Sequence, residues 1–426
     1  GSRMKLYDQR EQCILCGSAD LYEAVALQPM PIATPNFTVP PGVSEEAFRT
    51  GVPLGIFQCR ACGHLQVTYY GNPELQYRDY VYTTSTSLGL TEHFRAYAAE
   101  TIALLGLPPN GLVVELGSNE GALLRAFRAA GMRVAGIDPA RRIAEEATAA
   151  GIPTLPEFFT SELAAGIARD QGAADLIVGN NVVANIENMN DVAAGIAALL
   201  APDGVFVIET QYGADVIEHN LLDTVYHEHI SYFLLSPLVP FFAKHGLELF
   251  DVVRVNTKGG SFRAFVQRAE GKRPISARLT NELARERELG MFAPPFFARI
   301  QDDLAAIKAE LHALADAAHA HGRSVAGYGV SVGTTTLLAQ FGLQQKIDFL
   351  VDDAPGKEPF LRGPDYHIPV VGRDEMTRRD PEIVIVFAWR YIDPIAKNNP
   401  AYLAAGGTFV IPLPHVTLRR AEVPAH

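Results

Sequence analysis

Apolar residues recur at helical spacing from 91 to 105, and Pro108-Pro109 closes that segment because proline cannot continue a helix. The period then changes. Leu112-Val113-Val114-Glu115-Leu116 reads as a buried strand that ends in a glycine-bearing turn, Gly117-Ser118-Asn119-Glu120-Gly121. A helix over 122–130, a strand at 134–138, a helix over 141–150, a strand at 175–179, a helix over 192–200 and a strand at 204–209 continue the alternation. Strands alternating with helices predict a mostly parallel sheet covered on both faces.

A polar and aromatic segment, 223–233, interrupts this pattern. Strand signal returns at 247–255 and 261–267, and an Ala-rich amphipathic helix is expected over 295–321. Further strands at 324–329, 347–352, 383–388 and 408–411 begin a second α/β run. Residues 10–75 are Pro-rich and irregular by comparison. The expected fold class is α/β in three parts: a small module over 10–75, a Rossmann-like domain over 76–270 and a second Rossmann-like domain over 271–420. No short-period repeat or low-complexity segment is visible.

Composition narrows the picture. A chain of 426 residues is too long for one compact core. Its net charge of -12, without a Lys/Arg-rich run, argues against nucleic acid as partner. A small phosphate-bearing ligand stays open, since backbone N–H groups can hold one locally. No apolar stretch is long enough to span a bilayer, so no membrane partner is expected. The N-terminus lacks the apolar core of a signal peptide, which makes the cytoplasm the expected location.

All four cysteines precede residue 63, in two pairs each followed by glycine: Cys13 and Cys16 before Gly17, Cys59 and Cys62 before Gly63. Without a secretory signal this pattern reads as metal ligation, with zinc the expected metal. Four thiolates leave no open position, so the zinc is expected to be structural. Two unrelated reduced pairs, or a redox pair, are the competing readings.

Glu115, Gly117, Ser118 and Asn119 form an E-x-G-x-x-x-G turn, not the dinucleotide G-x-G-x-x-G. Glu115 can accept from a ligand ammonium, and Asp138, ending the next strand, can grip ribose hydroxyls. That combination suits S-adenosylmethionine better than NAD, although tight β–α turns also need glycine for structural reasons alone. Tyr226-His227-Glu228-His229 offers side chains suited to general-base work, with ordinary surface histidines as the bland alternative. Gly327-Tyr328-Gly329-Val330-Ser331-Val332-Gly333 follows a strand and opens a helix, with Asp352 at the end of the next strand. This is close to a dinucleotide fingerprint, and a Rossmann-like domain without ligand is its alternative.

With these features in order, from Cys13 to about Pro414, the chain resembles the sugar C-methyltransferases that act on nucleotide-linked 4-keto-6-deoxy sugars. Tyr80-Val81-Tyr82 with its Ser/Thr run and the Phe387-Ala388-Trp389-Arg390 segment complete the likeness. The resemblance implies that His229 removes the C3 proton with Glu228 beside it, and that Tyr80 and Tyr226 polarise the sugar and exchange protons. It implies S-adenosylmethionine contacts, with S-adenosylhomocysteine as product, from Glu115, Gly117, Ser118, Asn119, Asp138, Pro139, Phe158, Asn180, Ser85 and Ser87. It assigns a dTDP- or GDP-linked sugar to Tyr82, Tyr328, Gly329, Ser331 and Asp352. Two departures stand out: Glu120 replaces an Asp of many relatives, and Val332 occupies a position that is basic in many relatives, just before Gly333.

O- or N-methylation of a sugar or other small metabolite is the alternative activity, because one fold hosts many acceptors. A non-catalytic zinc-containing scaffold is the alternative of another class, and the polar block at 226–232 argues against it. The oligomeric state is not readable from the sequence; a monomer is compatible with it.

Overall fold

The cysteine-bearing segment consists of short strands: β1 (Tyr7–Gln9), β2 (Leu21–Ala26), β3 (Gly55–Cys59), β4 (Leu65–Gln66) and β5 (Tyr69–Gly71). β2, β3 and β4 form an antiparallel sheet, while β1 pairs with β5. The structure, a computed structural model, describes residues 5–34, 39–80, 88–354 and 359–423.

The alternation that begins at residue 112 folds as one seven-stranded sheet. Its strands are β6 (Leu112–Leu116), β7 (Arg133–Ile137), β8 (Thr154–Leu155), β9 (Ala174–Asn180), β10 (Leu200–Gln211), β11 (Leu247–Val255) and β12 (Ser261–Arg268). They lie in the order β11-β12-β10-β9-β6-β7-β8. Neighbours from β8 to β10 are parallel, and β12 runs antiparallel to β10. Every residue of β6 is buried, as a central strand covered on both faces requires. Strand order reverses beside β6, which places a ligand crevice at the carboxyl ends of β6, β7 and β9.

A second seven-stranded sheet follows. It contains β13 (Val325–Tyr328), β14 (Phe349–Val351), β15 (Phe360–Arg362), β16 (His367–Val371), β17 (Ile383–Val386), β18 (Thr408–Ile411) and β19 (Thr417–Arg419). Their order is β15-β16-β14-β13-β17-β18-β19, reversing beside β13. The helices Ala277–Glu288 and Ala298–Ala320 join the two sheets. The expected α/β class is therefore the observed one. A single hydrophobic cluster runs through all three parts, from Ile14 and Ile56 through Ile208 and Phe262 to Leu304, Leu337 and Ile385. Among the described residues no helix is long and apolar enough to cross a membrane.

Candidate active site

The four cysteines converge. Their sulfurs all lie within 4.8 Å of one another, with Cys13 and Cys62 at 3.6 Å and Cys16 and Cys59 at 3.5 Å. A metal about 2.3 Å from each of four tetrahedral sulfurs would hold them roughly 3.8 Å apart, so the cluster fits one zinc ion. Gly17 and Gly63 take positive φ (80° and 90°), which turns their amides back onto Cys13 O and Cys59 O at 2.9 and 2.8 Å.

This module is joined to the 226–232 segment by backbone pairing. Val67 N donates to Ile230 O and Tyr232 N to Leu65 O, both at 2.9 Å, and His64 Nε2 lies 3.1 Å from Ser231 Oγ. The other side of the same segment meets the central sheet. The amides of Ile230 and Ser231 donate to Ala184 O at 2.8 and 3.0 Å, in the turn that follows β9.

At the sheet's carboxyl edge, three buried polar atoms have no hydrogen-bond partner among the described residues: Glu115 Oε1, Ser118 Oγ and Asn180 Oδ1. Buried polar groups are ordinarily satisfied, so three orphans around one crevice mark a ligand site. Burial, with Asp138 and Glu120 nearby, pushes Glu115 up to about 8; a cationic ligand group beside it would favour the ionised form. Asp138 accepts Asn119 N at 2.8 Å and Ala140 N at 2.9 Å, so its carboxylate is fixed at the tip of β7 with lone pairs to spare. Phe158 follows β8, and the Arg78 guanidinium lies 4.8 Å over its ring. Pro139 is half-buried beside Asp138. Glu115, Gly117, Ser118, Asn119, Asp138, Pro139, Phe158 and Asn180 thus lie along one sheet edge; Ser85, Ser87 and Tyr82 lie outside the described residues.

The two histidines of the 226–229 block separate sharply. His227 is fully buried, and its Nε2 faces Val52 O and Pro53 O at 3.2 and 3.1 Å, so it donates there and ties the N-terminal module down. His229 Nδ1 lies 2.7 Å from Thr224 O. A carbonyl only accepts, so Nδ1 carries the proton and Nε2 presents a lone pair. Burial holds His229 at about 4, which keeps the ring neutral at pH 7. Tyr232 and Tyr226 flank it, with ring centroids 4.5 and 6.0 Å away.

Glu228 Oε1 accepts Ala33 N at 3.1 Å and Gln76 Nε2 at 3.0 Å, whereas the buried Oε2 has no partner among the described residues. Burial pushes Glu228 up to about 7. Tyr226 and Tyr77 are both raised above the ordinary phenol value by burial first, then by Glu228 and each other's neighbourhood, which includes Tyr80. Glu228, Tyr226 and Tyr80 therefore gather with His229, and two residues that sequence reasoning missed, Gln76 and Tyr77, join them. The short helix Pro73–Tyr77 carries both, a stretch with no long period to flag it.

In the second sheet Gly329 has φ 103°, and a Cβ there would lie 2.9 Å from Ala388 Cβ, so the loop after β13 requires glycine. Ser331 N donates to Thr334 Oγ1 at 3.1 Å, opening the helix Val332–Phe341. The buried Tyr328 side chain bonds Asp353, and Asn399 Nδ2 donates to its hydroxyl at 3.3 Å, so that ring belongs to the domain's interior. Asp352 Oδ1 accepts Ala354 N at 3.1 Å. Asp223 is unforeseen in the sequence: it receives Arg390 Nη1 at 2.6 Å, one residue before the carbonyl that orients His229.

Residues 90–252 match the family described as a methyltransferase domain, and residues 256–414 the family described as the C-methyltransferase C-terminal domain. C-methyltransferase NovU of Streptomyces niveus is 33% identical over 414 residues, covering 97% of each chain. Magnesium protoporphyrin IX methyltransferase from Synechocystis PCC 6803, with bound SAH, shares 14% identity at a TM-score of 0.34, over 44% of this chain and 90% of its own.

Proposed function

Because the chain belongs to the C-methyltransferase family and is an S-adenosylmethionine-dependent methyltransferase, we propose that it methylates C3 of a nucleotide-linked 4-keto-6-deoxy sugar, with His229 as base. The observation that carries this reading is the fixed tautomer of His229: Nδ1–H is held by Thr224 O, and Nε2 is left as an acceptor among tyrosines and a carboxylate. Carbon methylation needs such a base, because C3 is not nucleophilic until its proton leaves.

The C3 proton passes to His229 Nε2, and the electron pair delocalises onto the C4 oxygen. Tyr80 and Tyr226 donate to that oxygen and stabilise the enolate. Burial raises the Tyr226 phenol above its ordinary value and keeps it protonated, as a donor must be. The methyl donor, when bound, supplies an electrophilic carbon on a sulfonium. The C3 electron pair forms the new carbon–carbon bond as the sulfur–methyl bond breaks, leaving S-adenosylhomocysteine. Glu115, Ser118, Asn119, Asp138 and Asn180 hold the donor; holding both centres together lowers the entropic part of the barrier. Pro139 and Phe158 stand beside the donor, and Gly329, Ser331 and Asp352 face the sugar nucleotide, while Tyr328, interior to its domain, supports their loop from behind; Ser85 and Ser87 keep the donor role, and Tyr82 the sugar role, that the family resemblance implies. Zinc at Cys13, Cys16, Cys59 and Cys62 is structural and takes no part in the step.

The test is a methyl-transfer assay in heavy water with dTDP- and GDP-linked 4-keto-6-deoxy sugars, comparing wild type with His229→Ala. The expected product is heavier by one methyl group on carbon, and the variant binds S-adenosylhomocysteine normally yet turns over at least about a hundredfold more slowly. Unchanged turnover removes His229 as base. Methylation of oxygen or nitrogen, located by NMR, replaces the carbon acceptor.

A further inference from the structure

Two cations meet beside the base from opposite halves of the molecule. Lys258 lies in the turn Thr257–Gly259 between β11 and β12, with φ 54° and ψ 28°. That left-handed conformation costs free energy for a residue with a side chain and persists only where the surroundings enforce it. Here they do: Lys258 O accepts Gln211 Nε2 and Arg390 Nη2, both at 3.2 Å, and Ser261 Oγ donates to Thr257 O at 2.8 Å. The Lys258 side chain is exposed and has no hydrogen-bond or ion-pair partner among the described residues.

Arg390 arrives from the turn after β17, stacks on Trp389 with its guanidinium 4.4 Å from the ring, and spends Nη1 on Asp223. Glu209, the acid whose charge bears on Lys258 among the described residues, is already bonded by Arg263 at 2.8 Å. Asp223 is thus committed to Arg390 and Glu209 to Arg263, which leaves the charge of Lys258 unmatched in a chain of net charge -12. Asp223 is next to the C-terminal glycine loop, since a Cβ at Gly333 would lie 3.4 Å from it. It is also next to the base, because Thr224, whose carbonyl holds His229, follows Asp223. The charge of Lys258 reaches His229 and helps to depress its pKa.

We propose that Lys258, steadied by Arg390, binds the diphosphate of the substrate and supplies the positive charge that the loop ending in Val332 and Gly333 lacks. The inference rests on the nucleotide-sugar reading. In such a substrate the diphosphate leaves from C1, across one sugar ring from the C3 that His229 must reach. A compact ammonium suits its terminal oxygens, and the enforced backbone of Lys258 fixes where that ammonium starts.

The experiment titrates the full-length protein with inorganic pyrophosphate, dTDP, GDP and S-adenosylhomocysteine, in wild type, Lys258→Gln and Lys258→Arg. Pyrophosphate and one nucleoside diphosphate should bind wild type with salt-dependent affinity, about tenfold or more weakly to Lys258→Gln, and with most of the loss restored by Lys258→Arg. S-adenosylhomocysteine should bind all three alike, which shows the variants folded. Equal binding of the anions by wild type and Lys258→Gln overturns the inference and leaves the substrate reading standing. A wild type that binds none of these anions also overturns it. Weakened anion binding in Lys258→Gln, with no nucleotide-linked sugar methylated by wild type, supports the anion site and sinks the substrate reading instead.

Discussion

Glu228 is a carboxylate placed where its charge is costly. Folding raises it from its ordinary 4.5 to about 7, with burial as the main cause. A carboxyl whose folded pKa is raised destabilises the fold in its ionised form; the cost is complete above pH 7 and absent below pH 4.5. Glu228→Gln keeps the acceptor for Ala33 N and Gln76 while removing the charge. It should gain on the order of 2 kcal/mol at pH 8, after a deduction for the buried amide N–H left without a partner. The gain should vanish near pH 4.5, and turnover should fall by about tenfold or more. Thermal midpoints at the two pH values, with rates alongside, check this. Equal midpoints at pH 8 would show that the charge is not strained. His229 and Glu228 were legible as residue types in a polar block, but the distinction between His229 and His227 came from the family resemblance and not from the residue pattern. It depends on which carbonyls they meet, Thr224 O for one and Val52 O and Pro53 O for the other.

Among elements, the central strands of both sheets were visible because continuous apolar runs such as Leu112–Leu116 are buried on both faces, whereas the short β8, β15, β16 and β19 at or near the sheet edges were not. The helix Ala277–Glu288 was not visible. Most of its residues are charged or polar, and only Leu279 and Glu286 are buried, which leaves no apolar stripe to read. The cysteine pairs were legible, but not the use of their module as a strand partner for the segment that carries His229. That pairing makes the metal's role testable. Analysis should find about one zinc per chain, and a strong chelator should abolish turnover while S-adenosylhomocysteine binding stays within a few-fold, since the central sheet supplies that crevice. Full turnover by metal-free protein would show that β3 and β4 hold their shape unaided.

At the scale of the molecule, the parts are fastened by buried polar groups as well as by the shared core. Glu286 is fully buried; it accepts Leu235 N at 2.7 Å, Ser236 N at 2.8 Å and Ser236 Oγ at 2.6 Å, and also receives the Tyr212 hydroxyl. Its helix lies beyond residue 270 yet serves the central sheet. Glu286→Leu would strand those donors, at about 1–3 kcal/mol for each one left unsatisfied. The variant should lose several kcal/mol, read as a lower denaturation midpoint, and a fragment ending at 270 should fail to fold by circular dichroism. A stable fragment would show that the central sheet is autonomous.

The bond between Arg390 and Asp223 spans 167 positions of the chain. On a ribosome adding about 5–20 residues per second, that interval is roughly ten to thirty seconds. Throughout it the nascent chain already has His229 but lacks the arginine that steadies the loop behind it. With His229 as the proposed base, catalytic competence is expected late in synthesis, and a product terminated before Arg390 is expected to be inert.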